Sequence, residues 1–162
     1  VTSREDAVVV RLVAKPKSEL VAWFEETWVD YAEDLARAGF TPEEVEQNIA
    51  RNTAALFVDG LPNDEQRVFD VLHGDVVVGS LWLAERREAS AGEWYIYDIV
   101  VDEEFRGQGY GRATMTAAEE YVRAQGGTKL GLNVFGFNTV ARSLYESMGY
   151  VTMTIGMRKD LA

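Results

Sequence analysis

The most constraining stretch of the chain runs from Ile99 to Arg112. Three glycines at alternate positions, Gly107, Gly109 and Gly111, stand there between a β-rich run and a helical one. Glycine accepts positive φ and close backbone approach, and a helix start offers unpaired N–H groups at the positive end of its dipole. Strand, glycine turn and helix in that order make a seat for an anion, most naturally a phosphate or pyrophosphate. A P-loop would need Gly-Lys followed by Ser or Thr, which this turn lacks. A dinucleotide fingerprint counted from Gly107 would need glycine where Arg112 stands, and it belongs after the first strand of a parallel sheet. The pattern met in full is Arg-x-x-Gly-x-Gly, through Arg106, Gly109 and Gly111. A glycine turn that merely starts a helix is the plain alternative.

Periodicity places the rest. Val8 to Val13 reads as a first strand. Ser18 is positioned to cap a helix whose Leu20, Trp23, Phe24, Trp28, Tyr31 and Leu35 recur at helical spacing up to Gly39. Thr41-Pro42-Glu43-Glu44 is a capping box opening a second helix with Val45 and Ile49. Leu61 to Glu65 reads as a loop. Val68 to Leu72 and Val76 to Leu83 flank a hairpin turn at His73-Gly74-Asp75. Glu85 to Gly92 reads as a loop and Trp94 to Val101 as a long strand. After the glycines come a helix carrying Met115, Ala118 and Val122, a strand from Lys129 to Val134, a helix from Asn138 to Met148, and a last strand from Tyr150 to Met157. The expected architecture is one α+β domain over residues 1–162, in the order β-α-α-β-β-β-α-β-α-β, with a mixed sheet of about six strands and flanking helices.

Composition excludes several chemistries. There is no cysteine, which removes disulfides, thiolate metal sites and cysteine nucleophiles, and the single His73 has no partner for hydrolase or zinc chemistry. No carboxylate cluster has the spacing of a calcium loop, so no metal is expected. A net charge of −11 repels phosphate backbones and argues against nucleic-acid binding. No apolar run reaches the roughly 18 residues of a membrane span. The polar start Val1 to Asp6 lacks the apolar stretch of a secretory signal, so the cytoplasm is the expected compartment.

The glycine turn resembles the coenzyme A loop of the GNAT superfamily of N-acetyltransferases. Residues 138–150 look like that superfamily's second signature, Asn-x-x-Ala-x-x-x-Tyr-x-x-x-Gly-aromatic, and Leu132-Asn133-Val134 is similar to its usual fifth strand. The resemblance covers roughly residues 65 to 157 as an acetyl-CoA-binding core, while residues 1–60 match only in kind. Spacing adds to it independently. Asn138, Ala141 and Tyr145 fall on one helix face, and Val140, Leu144 and Met148 on an apolar one.

The resemblance implies a cofactor-binding set and a chemistry. The pyrophosphate of acetyl-CoA would rest on backbone N–H groups of the turn Arg106, Gly107, Gln108, Gly109, Tyr110, Gly111 and Arg112, effectively from Gly107 onward. Ile99, Val100 and Val101 would bind the pantetheine arm and acetyl carbonyl through their main chain, in a slot opened where a bulge splays that strand from Lys129–Val134. Asn133 would belong to the same cofactor-binding set, Asn138 would bond the arm, and Ala141 would let it lie close. The reaction implied is direct acyl transfer to an amine, with Tyr145 as general acid toward the departing thiolate. From pKa ~10 to ~8.5 that proton transfer is uphill by roughly 2 kcal/mol. The base candidates are Glu93 and Asp98, and Asp98 is chosen as nearest the acetyl end. Strand alternation is expected to send Tyr97 and Asp98 to opposite faces.

The acceptor would be a small-molecule or peptide amine. Residues 18–46 hold nine acids and one base, Arg37, which would favour a cationic amine if they form a rim, although charged helix faces are usual and a solvated face is the plainer account of them. Dimers are common in the superfamily, so a homodimer is a further expectation. A non-catalytic module that senses acyl-CoA is the second reading, and transfer of a longer acyl group is the third.

Overall fold

The computed structural model describes residues 8–87 and 90–161. The polar start Val1 to Asp6 and part of the loop Glu85 to Gly92 lie outside the described residues. One sheet holds five strands: β1 (Arg11–Ala14), β4 (Gln66–His73), β5 (Val76–Glu85), β6 (Glu93–Val101) and β7 (Lys129–Leu132), in the order β1-β4-β5-β6-β7. The first four are antiparallel neighbours, and β7 joins β6 in parallel. Helices α1 (Lys17–Arg37) and α2 (Pro42–Leu56) follow β1, α3 (Tyr110–Ala124) follows β6, and α4 (Thr139–Ser147) follows β7. The mixed α+β fold expected from the sequence is present.

Several boundaries differ, each for a local reason. Strand β1 begins at Arg11 rather than Val8, where its pairing with Leu72 begins. Pro16 is the N-cap of α1, so Ser18 lies inside the helix and caps nothing. The capping box of α2 forms as expected: Thr41 N–H donates to the Glu44 carboxylate (2.8 Å), and Glu44 N–H donates to Thr41 Oγ1 (3.3 Å). Between α2 and β4 a small hairpin of β2 (Phe57–Val58) and β3 (Leu61–Pro62) replaces the start of the expected loop. Asp59 and Gly60 at its tip both have positive φ, the geometry that Asp-Gly favours in two-residue hairpins.

The largest departure is at the C-terminal end. Tyr150 to Met157 does not form the expected last strand; Tyr150 is partly buried against the core, residues 151–157 are exposed and outside any strand pairing, and the sheet has five strands instead of six.

The sheet separates two cores. On one face Phe69, Val71, Val78, Leu81, Leu83, Trp94 and Ile96 pack with Met115, Ala118 and Val122 of α3 and with Tyr145 of α4. On the other, Val68 and Trp82 meet Phe24 of α1 and Leu56 of α2, with Trp23, Trp28 and Tyr97 at the margin. Phe24 of α1 is therefore a core residue, and the half-buried Trp23 and Trp28 pack at its margin: the rings of Trp23, Phe24 and Trp28 lie 6.1, 4.8 and 5.9 Å from Trp82, all edge-on. At the end of this layered arrangement β5 and β6 approach unusually closely. A Cβ on Gly79 would lie 2.0 Å from the Val100 carbonyl oxygen, so only glycine fits there.

Candidate active site

The site begins with a parting of strands. β7 accompanies β6 only from Glu93 to Ile96, opposite Lys129 to Leu132. From Asp98 to Val101, β6 is paired on its β5 side alone among the described residues. The parting coincides with a bulge, because Trp82 lies opposite Asp98 and Leu83 opposite Ile96, which leaves Tyr97 as an extra residue. A bulge of this kind bends a strand and ends its pairing with a neighbour.

The bulge also overturns the expectation that Tyr97 and Asp98 face apart. Directly opposed residues of an antiparallel pair share a face, so Asp98 lies on the face of Trp82. The Tyr97 ring stacks on Trp82 at 4.9 Å, hence on that same face. The extra residue cancels the alternation.

Asp98 is half-buried beneath α1. Its carboxyl is pushed up to about 6, chiefly by burial and next by the Asp30 carboxylate; the Ile99 N–H opposes the shift and Asp34 adds to it. Asp30 and Asp34 are one turn apart on α1, so they share the side of the helix turned to β6. Tyr145 reaches the same region from α4 and is buried, 8% exposed. Burial raises its phenol above the usual tyrosine value, and the Asp98 carboxylate raises it further.

The slot has two kinds of main-chain donors. Asp102 N–H donates to Val78 O on β5 at 3.0 Å, and Val100 O faces Gly79. By alternation Ile99 and Val101 turn their main-chain groups toward the opened side, while Val100 turns its own to β5. Arg106 Nε donates to Val101 O at 2.9 Å, so that carbonyl is already held. Farther on, Arg106 N–H donates to Glu103 O and Ala113 N–H to Gly109 O. The N–H groups between them, from Gly107 to Arg112, have no backbone acceptor among the described residues. Gly109 is the N-cap of α3 with φ +91°, and no side chain caps the helix. The Gln108 side chain donates to Glu104 O at 2.9 Å, Tyr110 packs edge-on to His73 at 5.4 Å, and Arg112 donates to Ser147 Oγ at 2.6 Å. These side chains brace the turn, leaving its amides available. An open helix start with glycine at positive φ is the donor set that a diphosphate needs.

Residues of the second signature are distributed differently from expectation. Asn138 is not on the α4 face with Ala141 and Tyr145; it is the N-cap, its Oδ1 accepting from Ala141 N–H at 3.2 Å. Asn133 is exposed just beyond β7. Val140 is 82% exposed, whereas Ala141, Leu144, Tyr145 and Met148 pack toward the core. Phe135 and Phe137 stack at 5.3 Å and close the slot against α1, where Phe135 meets Tyr31 at 6.2 Å and Arg37 lies over Phe137 at 4.1 Å.

One wall went unread in the sequence. Tyr95 and Tyr97 stand edge to face at 5.0 Å, with Arg86 over Tyr95 at 4.6 Å. Burial pushes the Tyr95 phenol up to about 12. The aromatic pair at alternate positions of a long strand was the available signal.

Fold and site together define an acyl-CoA-dependent transferase. The sequence profile described as Acetyltransferase (GNAT) family matches residues 19–150, and the chain belongs to that family. It is an acetyl-CoA-dependent N-acetyltransferase. It is similar to YycN of Bacillus subtilis, named as an uncharacterized N-acetyltransferase, with 30% identity over 156 residues, covering 95% of this chain and all of that protein (100%). The crystal structure of YycN superimposes with a TM-score of 0.84 at 29% identity, covering 95% of this chain and 99% of the other. A shorter match, 37% over 60 residues, covers 37% of this chain and 41% of a ribosomal protein bS18-alanine N-acetyltransferase of Haemophilus ducreyi. Among the described residues no helix is long and apolar enough to cross a membrane, and no group of three or more His, Cys, Asp or Glu is placed to hold a metal ion.

Proposed function

We propose that the chain transfers an acetyl group from acetyl-CoA directly to an amine of a small molecule or peptide, with Asp98 as the base and Tyr145 as the acid. The observation that carries this reading is the convergence of those two groups, from opposite layers, on the place where β6 leaves β7. The amides from Gly107 to Arg112 would hold the diphosphate, Ile99 and Val101 N–H would align the pantetheine arm, and the Asn138 amide NH2 group, its oxygen being engaged, would donate to it. An alkyl ammonium near pKa ~10 must lose a proton before it can attack, and a carboxylate raised toward neutrality is a better base than an ordinary one. The amine nitrogen then bonds to the thioester carbonyl carbon, the C–S bond breaks, and the sulfur takes the Tyr145 proton. Tyr145 is restored by the proton that the new amide nitrogen sheds. Because burial weakens the phenol as an acid, its main contribution is a hydrogen bond that strengthens as negative charge gathers on sulfur.

Acceptor chemistry follows from the same corner. Asp30 and Asp34 both act on Asp98, so a cationic amine entering between α1 and β6 would meet three carboxylates before the thioester. The aromatic wall of Trp28, Tyr31 and Tyr97 offers apolar and cation–π contact to the rest of such a molecule. The test is release of free thiol from acetyl-CoA against a panel of amines. Transfer to polyamines or basic peptides, abolished in Asp98→Asn, supports the assignment. Binding of CoA without thiol release for any amine sinks it in favour of a sensing module.

A further inference from the structure

Two consecutive arginines follow β5 and meet different partners. Arg86 N–H donates to Glu93 O at 2.8 Å, which holds its main chain beside the start of β6. The Arg87 charge is already met: its Nε lies 3.0 Å from the Glu85 carboxylate and 3.9 Å from that of Glu65. Arg86 has no carboxylate within 4.0 Å among the described residues. Its guanidinium lies instead over the Tyr95 ring, 4.6 Å from the centroid. An arginine seated on an aromatic face is held in place without losing its charge, and its N–H edge matches a carboxylate through two parallel hydrogen bonds.

The ring beneath Arg86 belongs to the acceptor side of the sheet. Tyr95 stands edge to face with Tyr97, and Tyr97 stacks on Trp82, on the face that carries Asp98. Arg86 is felt at both phenols. Burial raises each of them, and Arg86 is the leading group that opposes the rise. Glu65 acts on Tyr97 in the other sense, but its carboxylate is turned to Arg87. Protonated phenols are donors that can join a guanidinium around one anion. Arg86, Tyr95 and Tyr97 therefore form a positive, donor-rich end of the acceptor wall, and Asp98, Asp30 and Asp34 form its negative end. At about 3.3 Å per residue, Asp98 lies roughly 7 to 10 Å along β6 from Tyr95, the bulge taking up part of the run. An α-amino acid cannot span the two ends, because its amine and carboxylate share one carbon. Arg37 also lies over a ring, 4.1 Å from Phe137, but it stands in the last turn of α1, where the helix dipole accounts for a cation.

We propose that Arg86, with the phenols of Tyr95 and Tyr97, receives a carboxylate of the acceptor, so that the preferred acceptor is a primary amine bearing a carboxylate several bonds from its nitrogen. The inference rests on the reading of Asp98 as the base, which fixes where the nitrogen lies. The probes are two matched pairs, ε-aminocaproate against ε-aminocaproamide and alanyl-glutamyl amide against alanyl-glutaminyl amide. Each pair keeps the amine and the size and differs by one charge; the first represents a free amino acid and the second a peptide. Thiol release from acetyl-CoA gives kcat and KM for all four with the parent, Arg86→Gln, Arg86→Lys and Arg87→Gln. Both arginines are exposed, so the fold tolerates these changes. In the parent the carboxylate member of at least one pair is expected to be favoured about tenfold, through KM more than kcat. In Arg86→Gln the ratio falls to about one while the uncharged members keep their rates, and Arg86→Lys recovers only part of it, because an ammonium lacks the fork. Arg87→Gln, the same loss of charge one residue away, keeps the ratio. A preference within one pair alone identifies the source of the carboxylate. Transfer without preference for the carboxylate, transfer confined to polyamines, or a preference that survives Arg86→Gln or is lost equally in Arg87→Gln overturns this inference and leaves acetyl transfer standing. Absence of thiol release with every amine overturns both.

Discussion

Tyr97 and Asp98 are consecutive in the chain and lie on the same face of the sheet, Tyr97 stacked on Trp82 and Asp98 directly opposite it. One extra residue in β6 thereby does two things. It lets the strand leave β7, and it turns a carboxyl that alternation would have sent to the other layer toward Asp30 and Asp34. The second effect makes the carboxyl hard to ionise, and a raised carboxyl is what amine deprotonation near neutral pH requires.

Stability should record this directly. In the unfolded chain Asp98 titrates near pH ~4, and in the folded chain at about 6. The native state holds the proton more tightly, so stability falls as pH rises through the window between those values and stays lower above it. Asp98→Asn removes the fall. The variant is expected to be more stable than the parent at pH 7 and above, by on the order of 2 kcal/mol, with the gain shrinking toward pH 4. Urea unfolding at pH 4.5 and 7.5 checks it; an equal difference at both would mean the carboxyl is not raised.

The same group should set the acidic limb of kcat/KM. Activity is expected to rise with pH through about 6, as Asp98 ionises in the free enzyme. Asp30→Asn removes the larger of the two repelling carboxylates, so the limb should move to lower pH. Asp34→Asn should move it the same way by less. A limb that stays in place in both variants assigns it to another group.

Tyr145→Phe tests the other side of the opening. The ring remains buried and the fold is unaffected, but the departing sulfur loses its donor. The expected outcome is a kcat lower by about 10²-fold with acetyl-CoA affinity unchanged. Because the phenol is raised by burial and by Asp98, the alkaline side of the parent profile should show no tyrosine titration near pH 10. Pre-steady-state thiol release separates this from slow product departure.

Much of this was legible beforehand because it is local. The capping box at Thr41, the Gly74 turn and the glycines before α3 are all written in a few adjacent residues, whereas Asn138, expected on a helix face, is the N-cap of α4. A bulge in this strand is implied by the resemblance, but its position is not written locally, since Tyr97 carries no mark of being extra; the register is decided by how β5 and β6 fit against separate layers. The fate of residues 150–157 was equally hidden. Alternation states that a strand is wanted, but whether one forms depends on where an edge is free. Val140 misled for a similar reason: helical spacing defines faces, and packing chooses which of them is covered.

Gly109→Ala should weaken acetyl-CoA binding more than it weakens the fold. At φ +91° a side chain is strained by about 1–2 kcal/mol, and relaxing that strain would turn the amides of the α3 start out of line. The KM for acetyl-CoA is expected to rise about tenfold. Thermal unfolding of the variant in the absence and presence of CoA distinguishes the two contributions, since only the bound form should lose much.

Gly79→Ala should act on the fold itself and through it on the site. Its Cβ would lie 2.0 Å from Val100 O and 3.0 Å from Val100 C, both main-chain atoms, so no side chain can swing aside to make room. β5 and β6 would have to separate where Ile99 and Val101 turn toward the opened side. The expected loss is about 3 kcal/mol, in the upper range for overpacked sites, which for a chain of this size lowers the melting temperature by roughly 10 °C. Gly136→Ala is the control, with open space around its Cβ and no positive φ, and it should change stability by less than about 0.5 kcal/mol. If the two variants melt together, the close approach of β5 and β6 at Gly79 is not what aligns the end of β6.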